Sequence, residues 1–287
     1  MRKLYVIIIL LMSVLTSWSK DEVIEEALDI SININTNCRK LKILAIGNSF
    51  TIDSTDYLPW LLSGNNEKDV VVARLTRSSS SLEMHWNNHL TNKEDYQFQY
   101  IKEGKWQTGS INTIDAALNI TDWDIIVIQQ VSGLSGDYTT YQPYLSDLCQ
   151  LFYNTNTKPE IAWHYTWSYP NGSDHPDLKR YDNDSATMYE AILTAGNEAS
   201  KEVSLTIPSA QLIQQLREVY KDSGENFTRD GFHLSEGKAK YAVACLWHDV
   251  LIKPFTGTSC DNVDYTGITK EDKDVIWTYI SGSISSK

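Results

Sequence analysis

The sequence predicts an α/β domain: a central, mostly parallel sheet of five strands with helices on both faces, three layers in all. Three observations carry this expectation. Short, mainly apolar runs read as strands buried on both faces. Longer segments with helical periodicity separate them, so strand and helix alternate along the chain. The runs also end in turn residues, Gly47-Asn48 after the first and Pro208 after the last.

In order, Leu41–Ile46 is the first strand, followed by Val70–Ala73, Asp124–Ile128, Glu160–Trp163 and Val203–Ile207. Helical patterns fall at 54–63, 81–91, 140–153, 185–201, 208–220 and 235–252. Residues 95–109, where Tyr96, Phe98 and Tyr100 alternate with polar residues, read as an inserted hairpin. A helix near 269–281 is expected to pack back on the domain. No internal repeat, low-complexity tract or Pro/Gly/Ser linker interrupts the pattern, so residues 41–287 read as a single domain.

The 287 residues are 41% hydrophobic and 22% charged, the composition of a globular protein that can bury a substantial core. The formal charge of −12 gives an acidic surface that repels phosphate backbones. Nucleic acid is therefore excluded as a partner, and a small, roughly neutral substrate is favoured.

At the N-terminus, Arg2 and Lys3 precede the apolar run Leu4–Leu15, then Ser17-Trp18-Ser19 and the polar Lys20-Asp21-Glu22. This has the three parts of a secretory signal peptide over residues 1–19, with 20–40 as a leader. The run is short for a membrane span, which needs roughly 20 residues, although a retained anchor is the competing reading. It ends without a Cys, which argues against a lipid anchor. The expected product is periplasmic or extracellular, with no stable membrane insertion after cleavage.

Export permits disulfides. Among Cys38, Cys149, Cys245 and Cys260, the pair Cys245 and Cys260 brackets a helix end and a loop and is the best candidate bridge. Cys149 lies on the buried face of a helical pattern and reads as a buried thiol. No CxxC spacing or His cluster supports zinc, and no metal or organic cofactor is expected.

In parallel sheets, sites form beyond the carboxyl ends of the strands. After the first strand comes Gly47-Asn48-Ser49-Phe50, a strand-to-helix turn that can expose a hydroxyl. Ser49 could equally be a plain helix cap. Far downstream stands Asp230-Gly231-Phe232-His233-Leu234-Ser235. A His can act as general base for a Ser when a carboxylate orients its other ring nitrogen, and Asp three residues before His supplies one locally. An ordinary surface Asp with a capping His is the bland reading.

The two blocks together resemble the SGNH (GDSL-like) hydrolase superfamily, in a largely uncharacterised secreted branch with GNSF and DGFH blocks. The resemblance spans about 42–252 and implies a flavodoxin-like α/β/α fold. It implies Ser49 as nucleophile, His233 as general base and Asp230 as its partner, with no cofactor. The family's second block carries an oxyanion-hole Gly; here the matching segment runs Arg77-Ser78-Ser79-Ser80-Ser81-Leu82-Glu83, placing Ser79 at that position. Its backbone N–H could serve beside that of Ser49, although a Gly-only φ would be strained. The third block's Asn is missing from Gln129-Gln130-Val131-Ser132-Gly133; Gln130 is the substitute donor, with Ser132 or Gln129 as alternatives.

Nine Trp and 16 Tyr are many for this length. Trp86, Trp167 and His164, near predicted strand ends and helix starts, are candidate substrate contacts, with Trp163, Tyr165, Tyr169 and His85 close by. Aromatic rings suit sugar faces, and core packing is the competing role. Similar secreted proteins often remove acetyl groups from glycans, so the resemblance points to a small-molecule or glycan ester cleaved by two-step acyl transfer. The rival readings are a lipase, thioesterase or peptidase on the same scaffold, an inactive glycan-binding protein, and a glycan O-acetyltransferase. The polar run Ser78–Ser81 gives no sign of a groove for a long apolar substrate.

Overall fold

The structure, a computed structural model, describes residues 39–284. The expected signal peptide, most of the leader and Cys38 lie outside the described residues. Among these residues no helix is long and apolar enough to cross a membrane.

A single sheet organises the chain. Strand β1 (Leu41–Gly47) is followed by helices α1 (Ser49–Thr55) and α2 (Leu58–Gly64), strand β2 (Val70–Thr76) and helix α3 (Leu82–Leu90). The hairpin β3 (Gln97–Lys102) and β4 (Lys105–Thr108) precedes α4 (Ile114–Asn119) and β5 (Ile125–Ile128). Then follow α5 (Tyr144–Tyr153), β6 (Glu160–His164), α6 (Ser185–Ala199), β7 (Leu205–Ile207) and α7 (Ser209–Val219). Helices α8 (Lys238–Trp247), α9 (Lys253–Thr256) and α10 (Lys270–Ile284) complete it.

The strand order is β4-β3-β2-β1-β5-β6-β7. From β2 to β7 every pairing is parallel, and β3 and β4 add antiparallel strands at the β2 edge. Without the hairpin, the order is that of the flavodoxin-like doubly wound sheet, with its switch point between β1 and β5. The central strands are buried almost throughout: Ile43, Leu44, Ala45, Ile46 and Ile125–Ile128 all lie inside. That explains why they read as continuous apolar runs.

The sheet therefore has seven strands where five were expected. The insertion at 95–109 does form a hairpin, and it pairs along β2, whose outer backbone groups would otherwise lie on an open edge. Phe98 turns inward and Gln97 outward, which fixes the register. The helix expected at 54–63 is two helices, because Pro59 sits in the first turn of α2 and lacks the N–H that a continuous helix would use. Helix α4 was not expected: its six residues are too few to show periodicity, and Thr113 starts it by accepting from the Ala116 N–H at 3.2 Å.

The cysteine expectation divides. Cys149 is a buried free thiol on α5, pushed up to about 12 by burial. Cys245 and Cys260 do come together, but as free thiols and not as a bridge. Burial, then the hydrogen bond with Cys245, raises the Cys260 thiol, and a disulfide forms through the thiolate.

Candidate active site

The carboxyl end of β1 opens onto a turn whose geometry follows from three residues. A Cβ on Gly47 would stand 2.1 Å from Thr51 Oγ1, so only glycine lets α1 fold back this closely. Asn48 caps α1: its Oδ1 accepts from the Phe50 N–H at 3.0 Å, and its Nδ2 donates to the Ser80 carbonyl at 3.1 Å. Ser49, partly exposed, then stands in the first turn of α1, where backbone N–H groups lack helical partners.

The segment after α7 brings the second half of the site. Asp230 Oδ1 accepts from the backbone N–H groups of His233 at 2.8 Å and Phe232 at 3.3 Å, bending the chain back on itself. Gly231, at φ +85°, makes that turn in a conformation other residues avoid. The bend sets Asp230 Oδ2 2.7 Å from His233 Nδ1, and His233 Nε2 2.8 Å from Ser49 Oγ. Ser49, His233 and Asp230 are thus hydrogen-bonded in line across 184 residues of sequence. Burial works to raise the Asp230 carboxyl, but the bonds from the His233 ring and backbone outweigh it and hold it below its ordinary value. An ionised Asp230 keeps the Nδ1 proton of His233 in place, leaving Nε2 to accept from Ser49. Such a line can generate an alkoxide-like nucleophile and return its proton to a leaving group.

An open cavity of about 650 Å³ begins at Ser49. Besides Ile52 and Tyr96 its walls are polar, among them Thr76, Arg77, Ser78, Asp95, Gln97 and Asn112. Arg77 Nε donates to Asp95 Oδ2 at 2.8 Å on this wall. The Phe232 ring lies 4.1 Å from that of His233, and His175 packs edge-on against Phe232. Among the described residues no group of three or more His, Cys, Asp or Glu side chains could hold a metal ion.

Ser79 has φ +53°, the left-handed conformation expected of a glycine, and is exposed. Gln130 is not available to an oxyanion. Its Nε2 donates to the Thr140 carbonyl and Oγ1, and its Oε1 accepts from the N–H groups of Leu82 and Val131. The longer stem carries the amide past the site to the start of α3. The alternatives are committed too: Gln129 Nε2 donates to Asn48 Oδ1 at 2.9 Å, and Ser132 Oγ bonds the Tyr169 hydroxyl at 2.8 Å.

Three candidate substrate contacts also lie elsewhere. His164 is fully buried: its Nδ1 donates to Gln129 Oε1 at 2.8 Å, and its Nε2 accepts from Ser209 Oγ at 2.9 Å. Burial lowers it to about 3. Trp167 is fully buried, stacked on Phe50 at 4.3 Å, with its Nε1 donating to the Phe232 carbonyl. It packs on Phe50 and is not part of the cavity wall. Trp86, half-buried on α3, packs on His89 and is not part of the cavity wall. His85 is buried beside Tyr96. The sequence reading missed the buried chain Asn48–Gln129–His164–Ser209, which ties the Ser49 turn to β5, β6 and α7. Polar residues at the ends of apolar strands were its only visible signal.

Residues 42–265 match the family described as "Domain of unknown function (DUF4886)". The crystal structure of a DUF4886 family protein from Bacteroides uniformis is 29% identical, with a TM-score of 0.78, covering 86% of this chain and 95% of that one. A candidate GDSL-like lipase from Parabacteroides merdae is 13% identical, with a TM-score of 0.52, covering 74% and 96%. A candidate SGNH hydrolase from Slackia heliotrinireducens is 20% identical, with a TM-score of 0.47, covering 74% and 99%. No curated protein matches the chain in sequence. The fold is that of the SGNH (GDSL-like) hydrolases.

Proposed function

The chain belongs to the DUF4886 family, and from that premise we propose that it is a serine-dependent carboxylic-ester hydrolase that removes acetyl groups from carbohydrates. The observation that carries this reading is the Ser49–His233–Asp230 line, with contacts of 2.8 and 2.7 Å at the carboxyl end of β1. Ser49 Oγ attacks the ester carbonyl while His233 Nε2 takes its proton, and Asp230 holds the imidazolium that forms. The N–H groups of Ser49 and Ser79 stabilise the tetrahedral oxyanion. His233 then protonates the departing sugar hydroxyl and activates the water that frees acetate.

The polar cavity wall supports the carbohydrate part of the proposal. Arg77, Asp95, Gln97 and Asn112 offer donors and acceptors to sugar hydroxyls, whereas a long acyl chain needs an apolar wall. Export rests on the basic start and apolar run of residues 2–15.

The test compares the purified protein with Ser49→Ala on acetylated glycans and an activated acetyl ester, following acetate. Release by the parent and its loss in the folded variant are expected. Equal release by both would refute the nucleophile, and no release with retained glycan binding would favour the binding-protein reading.

A further inference from the structure

Behind Ser49 and His233 lies a set of charges that acyl transfer does not itself use. Asp53 follows Ser49 by four residues, one helical turn, on α1 and is only 2% exposed. Its Oδ2 accepts from the Leu234 N–H at 2.8 Å and from Arg229 Nη1 at 3.0 Å, and its Oδ1 from the same Nη1 at 3.1 Å. Lys240 Nζ stands 3.6 Å from Oδ1 and bonds Asp56 at 2.8 Å. Arg229 immediately precedes Asp230, and Leu234 immediately follows His233. One buried carboxylate therefore grips the segment carrying acid and base at both of its ends. Arg229 reinforces the grip: its N–H donates to the His233 carbonyl at 2.9 Å, and its Nη1 reaches the Leu234 carbonyl.

A buried carboxylate is costly unless fully paired, and an apolar side chain would fill the same space more cheaply. What an apolar residue could not do is hold a backbone N–H 181 residues away and a guanidinium 176 residues away in register with the Ser49 helix.

We propose that Asp53 is a positioning residue that locks the Asp230–His233 segment to the helix carrying Ser49, with Arg229 as its partner, so that one helix sets the Ser49–His233 spacing. The inference rests on reading Ser49, His233 and Asp230 as the hydrolytic residues. Reacting groups displaced by about 1 Å lose on the order of 10² in rate, which is the effect expected when the clasp opens.

The test uses the purified protein, Asp53→Asn and Arg229→Gln, with two readouts. One is kcat and KM on an activated acetyl ester. The other is the low-field proton resonance between His233 Nδ1 and Asp230, assigned by its loss in Asp230→Ala. In Asp53→Asn, kcat should fall about 100-fold with KM within about threefold, and the resonance should broaden, in a protein that still melts cooperatively. Arg229→Gln, at a half-exposed side chain, should change both in the same direction by about tenfold in kcat; it decides the matter alone if Asp53→Asn does not fold. An unchanged resonance in a folded variant, or a parent that lacks it, overturns the clasp. So does an unchanged kcat when the parent is active. A parent that hydrolyses no ester but loses the resonance in Asp53→Asn would keep the clasp and refute the hydrolase reading.

Discussion

Gln130→Ala separates a catalytic amide from a structural one. The amide lies at the start of α3, where Oε1 accepts from Leu82 N–H at 3.1 Å and Val131 N–H at 2.8 Å, and Nε2 donates to Thr140 Oγ1 at 3.1 Å. Truncation leaves the Leu82 N–H buried without an acceptor and weakens the anchoring of Val131. A buried donor left unsatisfied costs about 1–3 kcal/mol and the part-buried Val131 bond about 1 kcal/mol more, so the two together should cost about 2–4 kcal/mol. For a domain of this size each kcal/mol moves Tm by about 2–4 °C, giving a fall of about 10 °C. At temperatures where the variant is folded, kcat for acetyl-ester hydrolysis should stay within a few-fold of the parent. Thermal melts and steady-state rates on one preparation read both quantities. An oxyanion donor behaves oppositely, costing on the order of 10²–10³ in rate with little change in stability. That pattern in Gln130→Ala would refute a structural role for the Gln130 amide.

Asp230→Asn should keep the turn, since its Oδ1 can still accept from the His233 N–H, but it sets an amide donor against Nδ1; kcat should fall about 10⁴-fold in a folded protein, and a loss under tenfold would count against the Asp230 role. Ser79→Gly keeps the backbone N–H and removes a left-handed strain of roughly 1 kcal/mol, offset by the entropy glycine adds to the unfolded chain; activity and Tm should both stay near the parent's, and a large rate loss would show that the Ser79 side chain acts. Burial lowers His85 and His164 to about 3, whereas the unfolded chain takes up these protons near pH 6.5. Stability should therefore fall as pH drops below 6.5, by about 2 kcal/mol per histidine at pH 5. His248 has the opposite sign: burial opposes its charge, but the neighbouring Cys260 and the Glu67 carboxylate, bonded to Nε2 at 2.8 Å, raise it to about 9, so its contribution is complete below pH 6.5 and lost as pH rises through 9. Chemical denaturation at pH 5, 6.5 and 9 should show a maximum in the middle, and a flat profile would contradict both assignments.

Much of the molecule was legible from residue order alone. Strands β1, β5 and β6 showed themselves because a central parallel strand is covered on both faces and is mostly apolar along its length. Ser49, Asp230 and His233 were legible because short-range geometry demands particular residues. Gly47 admits the close helix, Asn48 caps it, and Gly231 lets Asp230 bend back onto its own His.

What only the tertiary structure decided concerns side chains whose partners lie far away in sequence. Gln130 and Gln129 carry the same amide at adjacent positions, and nothing local tells that one caps α3 while the other holds Asn48 and His164. His164 and Trp167 stood near the right strand end yet pack in the core, because the end of β6 and the residues just after it meet α7 and Phe50. The hairpin's place at the β2 edge, the two thiols left unbridged, and the grip of Asp53 on a segment 176 residues downstream belong to the same class. Local sequence determines which conformations and charges a segment offers. Which of those meet, and so which polar groups are spent on structure and which remain for chemistry, is set only when distant segments close on one another.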